Sequence, residues 1–304
     1  MSDKCRACPQ ASAGGYQYRS NCGTSTYSNT RLRFSVRIKR QPSWGLPRYL
    51  VALCVILFFS GYFVLRFPDV PGTSIASYGF NLLIALPSLI GLWWQLGFRR
   101  AIVGIVSVAL FAYLIEGFGT VTGVPYGNFE YGTALGPKVF GIVPYLLPLS
   151  YVPLVIGSVG MFAANSRRLH RILWATLFLV MVDGVLDPGA AMLGFWTWPG
   201  GGVYYGIPLS NYVGWLISGL VSVTLLTLIG GPALRTRTCR PELLDSMIAS
   251  LTFWLGVTVF SGLVIPAVLA VLLLVVSVRR RIQLKHIAET VLSSADSDSS
   301  RRLI

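Results

Sequence analysis

Long apolar stretches recur along this chain, and they constrain its fold more than any other feature. Each is near 20 residues or longer, so each could cross a hydrocarbon core of about 30 Å as a helix. The chain is 54% hydrophobic and only 12% charged, whereas a soluble domain carries about 25% charged residues. The sequence therefore predicts an all-α, polytopic transmembrane helical bundle. The apolar runs occupy roughly residues 49–67, 78–98, 101–118, 139–164, 169–187, 205–231 and 247–278.

The last apolar run is too long for one span, and the basic residues indicate how it is divided. A single helix of about 30 residues would measure about 45 Å, so we predict a turn at Ser261-Gly262 between two short spans. If the N-terminus is cytoplasmic, the arginine-rich loops and Arg279–Arg281 then all face the cytoplasm, as the positive-inside rule requires. Seven spans would violate that rule at the C-terminal end. We predict about eight spans, with seven as the alternative, and both termini cytoplasmic.

Composition divides the chain into three parts. Residues 1–48 are polar and basic with no sustained apolar period, so we predict a disordered N-terminal extension. Residues 49–280 form the transmembrane domain, and residues 281–304 form a cytoplasmic tail that we expect to be loose after Ser293. The net charge is +14, and the basic residues that produce it are distributed along the chain as the predicted topology requires. This distribution favours contact with membrane lipid and gives no reason to predict nucleic-acid binding. We expect a multi-pass protein of the cell membrane.

Four carboxylates stand in or just beyond the apolar runs: Glu116, Glu130, Asp183 and Asp187. They are four of only eleven acidic residues in the chain. A charged side chain near the bilayer centre costs a few kcal/mol or more, so such residues usually face a cavity and have a function there. In DGVLDP, Asp183 and Asp187 are spaced i, i+4, which places both on one face of a helix. We predict that all four carboxylates are catalytic.

Two segments predicted to face outward carry nearly all the unusual residues. They read EGFGTVTGVPYGNFEYGTALGPKVFG from Glu116 and DGVLDPGAAMLGFWTWPGGGVYYGIPLSNYVGW from Asp183. Both are dense in Gly and Pro, which fix turns, and loops of this length are usually ordered and functional. Interfacial anchoring accounts for part of their aromatic content. As residues that line a substrate pocket we predict Tyr126, Tyr131, Trp196, Tyr204, Tyr205, Asn211 and Trp215.

Several motifs are absent from the sequence, which narrows the range of reactions that it could catalyse. The chain has two histidines, no dinucleotide-binding fingerprint, and no Ser or Cys nucleophile next to a His. We therefore predict no cofactor and no metal site. An apolar aromatic pocket with several carboxyl groups suits acid–base chemistry through a carbocation, in which one acid protonates an alkene and a carboxylate activates water.

Three other interpretations stay open at this stage. The Asp-x3-Asp spacing is also typical of a prenyltransferase, although Lys138 is the only base in the outer segments to hold a diphosphate. A proton-coupled transporter would use the carboxylates as a relay, but it should carry polar residues through the whole membrane depth. A cofactor-free isomerase or cyclase is the third alternative.

Four strings carry a resemblance to a known family: EGFGTVTGVPYGNFEYG, LGPKVFGIVPYLLPLSY, DGVLDP and GFWTWPGGGVYYGIPLSNYVGW. They are similar to the carotenoid biosynthesis membrane proteins, a family that contains the carotenoid hydratases, and the similarity covers roughly residues 50–280. The resemblance implies a hydro-lyase that adds water across the terminal C=C of an acyclic carotenoid end, without a redox cofactor, to give a tertiary alcohol. It also implies a C40 or C50 polyene substrate in a pathway to bacterioruberin-type or monocyclic carotenoids, and association with other enzymes of that pathway.

The resemblance leaves another carotenoid-modifying enzyme, such as a cofactor-free isomerase or cyclase, as an alternative. It does not assign roles to individual carboxylates. We expect Asp183 or Asp187 to be the general acid, with the other aspartate and Glu116 placing water and balancing the cation. Asn211 is expected to orient water.

Overall fold

The computed structural model describes residues 45–68, 73–163, 167–235 and 238–301. Within these ranges the chain forms eight α-helices joined by turns and loops, which confirms the prediction of a mainly α-helical fold and is consistent with a membrane protein. The predicted disordered extension lies almost wholly outside the described residues. The helices are α1 Arg48–Arg66, α2 Thr73–Leu96, α3 Phe98–Thr122, α4 Leu147–Met161, α5 Arg168–Met192, α6 Leu209–Gly230, α7 Asp245–Phe260 and α8 Val264–Arg301.

The long C-terminal apolar run is divided where the sequence predicts. Helix α7 ends at Phe260 and α8 begins at Val264. Gly262 lies between them with φ of +74°, a left-handed conformation that glycine adopts without steric cost. In the part of the chain that the structure describes, six helical segments are long and apolar enough to cross a membrane. The total number of spans, and the side on which each end lies, stay predictions.

Helices that contact each other in the bundle run parallel in some pairs and antiparallel in others. Helices α1 and α7 run parallel, because Tyr49 near the start of α1 bonds Asp245 at the start of α7, and Gly61 near the end of α1 faces Val257 near the end of α7. A Cβ at Gly61 would collide with the backbone of α7, so the absence of a side chain lets the two helices approach closely. Helix α6 runs antiparallel to both α3 and α5.

Helix α4 differs from the expectation that residues 139–164 form a full span. It has only 15 residues, about 22 Å of helix, because the first part of the apolar run forms a hairpin. That hairpin pairs strand β2 (Lys138–Val139) with strand β3 (Val143–Pro144), and the helix begins only at Leu147. Residues 151–161 of α4 are all buried, so the other helices surround this short helix and lipid does not contact it.

The two aromatic loops meet at one end of the bundle. Strand β1 (Glu130–Tyr131) pairs antiparallel with strand β4 (Trp196–Thr197). In this register Tyr131 lies opposite Trp196, and opposed residues in a strand pair project on the same face. The pairing therefore joins the loop after α3 to the loop after α5 and directs both aromatic side chains to one place.

A polar cluster closes the other end of the bundle. The Asp245 carboxylate is buried at the start of α7, where it accepts hydrogen bonds from the Tyr49 hydroxyl at 2.5 Å and from the Arg281 guanidinium. The cluster joins α1, α7 and α8. Beyond it, α8 continues as a helix to Arg301. Residues 282–292 lack Gly and Pro and are rich in helix-forming side chains, which extends the helix.

Candidate active site

Two aspartates on α5 form the base of the site. Asp183 and Asp187 are one helical turn apart and are 0% and 2% exposed. The amide of Asn211, at the start of the antiparallel α6, donates to Oδ2 of Asp183 at 3.3 Å and also to Oδ2 of Asp187. One amide group therefore holds both carboxyl groups side by side, as the i, i+4 spacing predicts.

The paired strands place an aromatic donor on each of two carboxyl groups. The Tyr131 hydroxyl donates to Oε2 of Glu116 at 2.8 Å, and Nε1 of Trp196 donates to Oδ1 of Asp187 at 3.0 Å. The two rings contact edge to face with centroids 6.2 Å apart. Because Tyr131 and Trp196 are opposite each other in the β1–β4 pair, the strand register fixes both hydrogen bonds together.

The tyrosines of the two aromatic loops are neutral hydrogen-bond donors. Burial raises the pKa of Tyr131 well above its ordinary value, and the nearby Glu116 adds to the effect. Burial likewise raises the pKa of Tyr126 and raises the pKa of Tyr204 to about 12. Each phenol therefore keeps its proton at neutral pH and supplies a hydrogen bond without carrying a negative charge.

A cavity of about 600 Å³ lies next to these groups. Glu116, Asp187 and Asn211 line it at one end, whereas Asp183 lies behind Asp187 and is not part of the lining. From the carboxyl groups the cavity continues between α2, α4 and α7 as far as Ser246 on α7. Trp254 and Ser246 are eight residues apart on α7, so the cavity follows that helix for about 12 Å.

The cavity wall near the carboxyl groups is aromatic. Tyr126 is 2% exposed and contacts Phe129 edge to face, with ring centroids 6.0 Å apart. Nε1 of Trp198 donates to the Tyr126 carbonyl at 3.2 Å, which fixes the loop around the ring. Aromatic residues that line the cavity in addition to the predicted set include Phe129, Tyr151, Phe195, Trp198, Phe253 and Trp254. Those in the loops were visible in the sequence as aromatics, whereas Phe253 and Trp254 lie on α7, where no motif distinguishes them.

Some predicted residues are not brought to the cavity. Glu130 is exposed and lies on the opposite side of β1 from Tyr131. The Tyr204 hydroxyl donates to the Gly184 carbonyl at 3.1 Å and supports α5 from behind the aspartates. Tyr205 is 39% exposed and lines a separate small pocket beside Pro188. The structure thus gathers Glu116, Asp187, Tyr126, Tyr131, Trp196, Asn211 and Trp215 around one cavity.

Comparison with known proteins gives the family. A family model described as carotenoid biosynthesis protein matches residues 77–277. The chain belongs to this carotenoid biosynthesis family. It is 37% identical over 203 residues to the bisanhydrobacterioruberin hydratase of Haloarcula japonica, and the aligned part covers 64% of this chain and 68% of that protein. No solved structure matches the chain.

The matched region contains the whole site. Every carboxyl, amide and aromatic group described above lies within residues 77–277 of the family match, and the resemblance inferred from the sequence strings is confirmed. The long apolar helices agree with a membrane protein of carotenoid biosynthesis. Among the described residues, no group of three His, Cys, Asp or Glu side chains is arranged to hold a metal ion.

Proposed function

We propose that this protein is a hydratase that adds water to the terminal C=C of an acyclic carotenoid end group. The observation that carries the proposal is that two separate carboxyl groups, those of Glu116 and Asp187, line the same apolar aromatic cavity. Hydration needs both a proton donor and a proton acceptor near the double bond. The similarity to a bisanhydrobacterioruberin hydratase supports the same chemistry.

Asp187 is the proton donor in this proposal. Two adjacent carboxyl groups removed from water cannot both carry a full negative charge, so the Asp183–Asp187 pair retains a proton. Only Asp187 of the two lines the cavity. Trp196 and Asn211 donate hydrogen bonds to it, and these donors stabilise the carboxylate that forms when the proton leaves. Asp183 acts through Asp187 and does not touch the substrate.

Protonation of the less substituted alkene carbon gives a tertiary carbocation. The faces of Tyr126, Trp196 and Trp215 on the cavity wall can stabilise this cation, since an aromatic ring presents negative charge on its face. Glu116, oriented by Tyr131, is the base that removes a proton from water as the water oxygen bonds to the cation. The products are a tertiary alcohol, an Asp187 carboxylate and a protonated Glu116. The proton then returns to Asp187 through cavity water, so no other reactant is consumed.

The remaining part of the cavity fits the polyene. It extends away from the carboxyl groups along α7 with an apolar lining that includes Ile84, Leu154 and Phe253. It also reaches residues of α1 such as Phe63, which is 59% exposed on the outer surface of the bundle. Helices α1 and α2 are consecutive but barely contact each other. We infer that the polyene enters from the membrane between them, with its end group directed to Asp187.

The cavity lining also argues against the prenyltransferase alternative. Among the described residues, no Lys or Arg lines the cavity, and the one base of the loops, Lys138, donates to the Tyr131 carbonyl at 2.7 Å. A diphosphate would need cationic partners at the site. We propose that the protein acts in the cell membrane, with a C40 or C50 carotenoid and water as its substrates.

The test is pigment analysis in a bacterial host that makes acyclic carotenoids. We would express the wild-type chain, Asp187→Asn and Glu130→Gln, and analyse the extracts by liquid chromatography and mass spectrometry. Glu130→Gln is the matched control because it removes an exposed acid outside the cavity. We expect a product heavier by one water from the wild type and the control, and none from Asp187→Asn.

Other outcomes would show which part of the proposal is wrong. If Asp187→Asn forms the product at the wild-type rate, the proposed donor is wrong although the reaction is right. If membrane-inserted wild type leaves both C40 and C50 acyclic pigments unchanged, the hydratase proposal is wrong. Proton flux in vesicles, or transfer of a prenyl diphosphate, would then support the transporter or the prenyltransferase instead.

A further inference from the structure

Arg171 is a buried cation far from the carboxyl site. It lies in the first turn of α5 and is 1% exposed. Asp187 is sixteen residues further along the same helix, so the two side chains start about 24 Å apart. Arg171 therefore belongs to the opposite end of the bundle and plays no part in the proposed hydration.

One edge of the Arg171 guanidinium has no partner. Nη1 donates to the Leu234 carbonyl at 3.3 Å, which orients the group against the 3-10 turn that follows α6. Nε and Nη2 are both buried without a hydrogen-bond partner in the part of the chain that the structure describes. These two nitrogens form one edge of the planar group, where two parallel N–H bonds can bind two oxygens of a single oxyanion.

The charged groups around Arg171 are also cationic. Arg168 and Arg235 are close enough for their positive charges to act on it, and both are exposed. Arg280 on α8 lies near the same Cys239 thiol as Arg171, and its Nε is likewise buried without a partner among the described residues. The cluster thus extends from exposed arginines at the surface to the buried edge of Arg171.

Such an arrangement is unfavourable unless an anion completes it. A buried polar N–H without a partner costs about 1–3 kcal/mol, and more when the group is charged. Repulsion from the other arginines adds to that cost. Basic pockets between helices at the membrane surface are known to bind lipid phosphate groups. A guanidinium is suited to this role because its fork matches the spacing of phosphate oxygens.

We propose that the Arg171 cluster binds a phosphate oxyanion, and that the source is the headgroup of an anionic membrane lipid. Two phosphate oxygens accept hydrogen bonds from Nε and Nη2 of Arg171, while Arg168, Arg235 and Arg280 balance the remaining charge. Because the Arg171 edge is enclosed, the phosphate displaces the side chains that cover it as it binds. Arg171 lies in the first turn of a long apolar helix, at the depth where headgroups are found.

The experiment uses the full-length protein purified in a neutral detergent. We would measure thermal unfolding during titration with phosphatidylglycerol, with inorganic phosphate, and with sodium chloride at matched ionic strength. The variants are Arg171→Gln, Arg171→Lys, and the matched control Arg99→Gln, which removes an exposed arginine from the start of α3 at the same end of the bundle.

We expect phosphatidylglycerol to raise the unfolding midpoint of the wild type and of the control. Arg171→Lys keeps the positive charge but loses the two parallel N–H donors of the guanidinium. It should weaken the apparent affinity for phosphatidylglycerol about tenfold, as the loss of one charge-assisted hydrogen bond does. A midpoint that rises equally well with inorganic phosphate would keep the oxyanion site and assign it to free phosphate.

Two results would overturn the proposal. One is an equal midpoint shift in wild type and both Arg171 variants. The other needs only the wild type: no midpoint shift with either phosphate source, together with no phospholipid retained through purification as measured by mass spectrometry. This second readout decides the matter even if the Arg171 variants do not fold.

Discussion

The hydrogen bond from Trp196 to Asp187 offers the sharpest test of how the loops serve the proposed chemistry. Nε1 of Trp196 lies 3.0 Å from Oδ1 of Asp187. When Asp187 releases its proton, negative charge develops on that carboxyl group, and the indole N–H stabilises it most in the transition state. Trp196→Phe removes this donor. The phenyl ring keeps the edge contact with Tyr131, and the backbone pairing of β1 with β4 does not depend on the side chain.

The expected magnitude follows from that single bond. A hydrogen bond to a charged group contributes about 1.5–3 kcal/mol. If the whole contribution is expressed in the transition state, kcat/KM falls about tenfold to about a hundredfold. The loss should appear mainly in kcat, because the polyene lies along the rest of the cavity and is bound there. The assay is the initial rate of tertiary alcohol formation by the purified protein in liposomes loaded with an acyclic carotenoid.

Trp198→Phe is the matched control for this measurement. Trp198 lies two residues away and also lines the cavity, but its indole donates to the Tyr126 carbonyl at 3.2 Å rather than to a carboxyl group. Its loss should lower the free energy of unfolding by about 0.5–1.5 kcal/mol and reduce kcat less than Trp196→Phe does. The reasoning is refuted if Trp196→Phe retains the wild-type kcat, or if both variants lose kcat equally.

Three other changes test separate parts of the structure. Tyr131→Phe removes the donor to Glu116 and should lower kcat about tenfold or more, measured by the same liposome assay; an unchanged kcat would exclude Glu116 as an oriented base. Ser250→Trp narrows the far part of the cavity, so it should raise KM for a full-length carotenoid but not for a short isoprenoid with the same end group. Gly256→Ala places a Cβ against the backbone of α1 and should destabilise the protein by about 1–3 kcal/mol. Its control is Gly200→Ala, which has open space around the added methyl group and should leave the melting temperature in detergent unchanged.

Sequence periodicity and composition were sufficient for the helical architecture. The turn after Phe260 was predictable because a helix of that length exceeds the bilayer and because Ser261-Gly262 can form the break. Helix α4 was not predicted correctly, since hydropathy does not distinguish a lipid-facing span from a short helix that the other helices surround. That distinction depends on which helices pack around it, and packing is a property of the whole bundle.

The aspartate pair shows what local sequence spacing can predict about the site and what it cannot. Asp183 and Asp187 lie on one helix face because the helical repeat places i and i+4 together, and no tertiary information was needed for that. The sequence left open which of the two faces the substrate. The position of the cavity decides this, and it depends on α4 and α7, which are distant in the sequence.

Glu130 and Tyr131 show the same limit within a single strand. The sequence marks both as unusual, yet successive residues of a strand project to opposite faces. The pairing of β1 with β4 sets the face, and it puts Tyr131 on Glu116 while Glu130 remains exposed. The sequence by itself therefore determined all the helices but α4, the membrane setting and the kinds of groups available for chemistry, because these follow from local spacing and composition. Only the tertiary structure decided which of those groups share a cavity, because that depends on contacts between segments more than sixty residues apart.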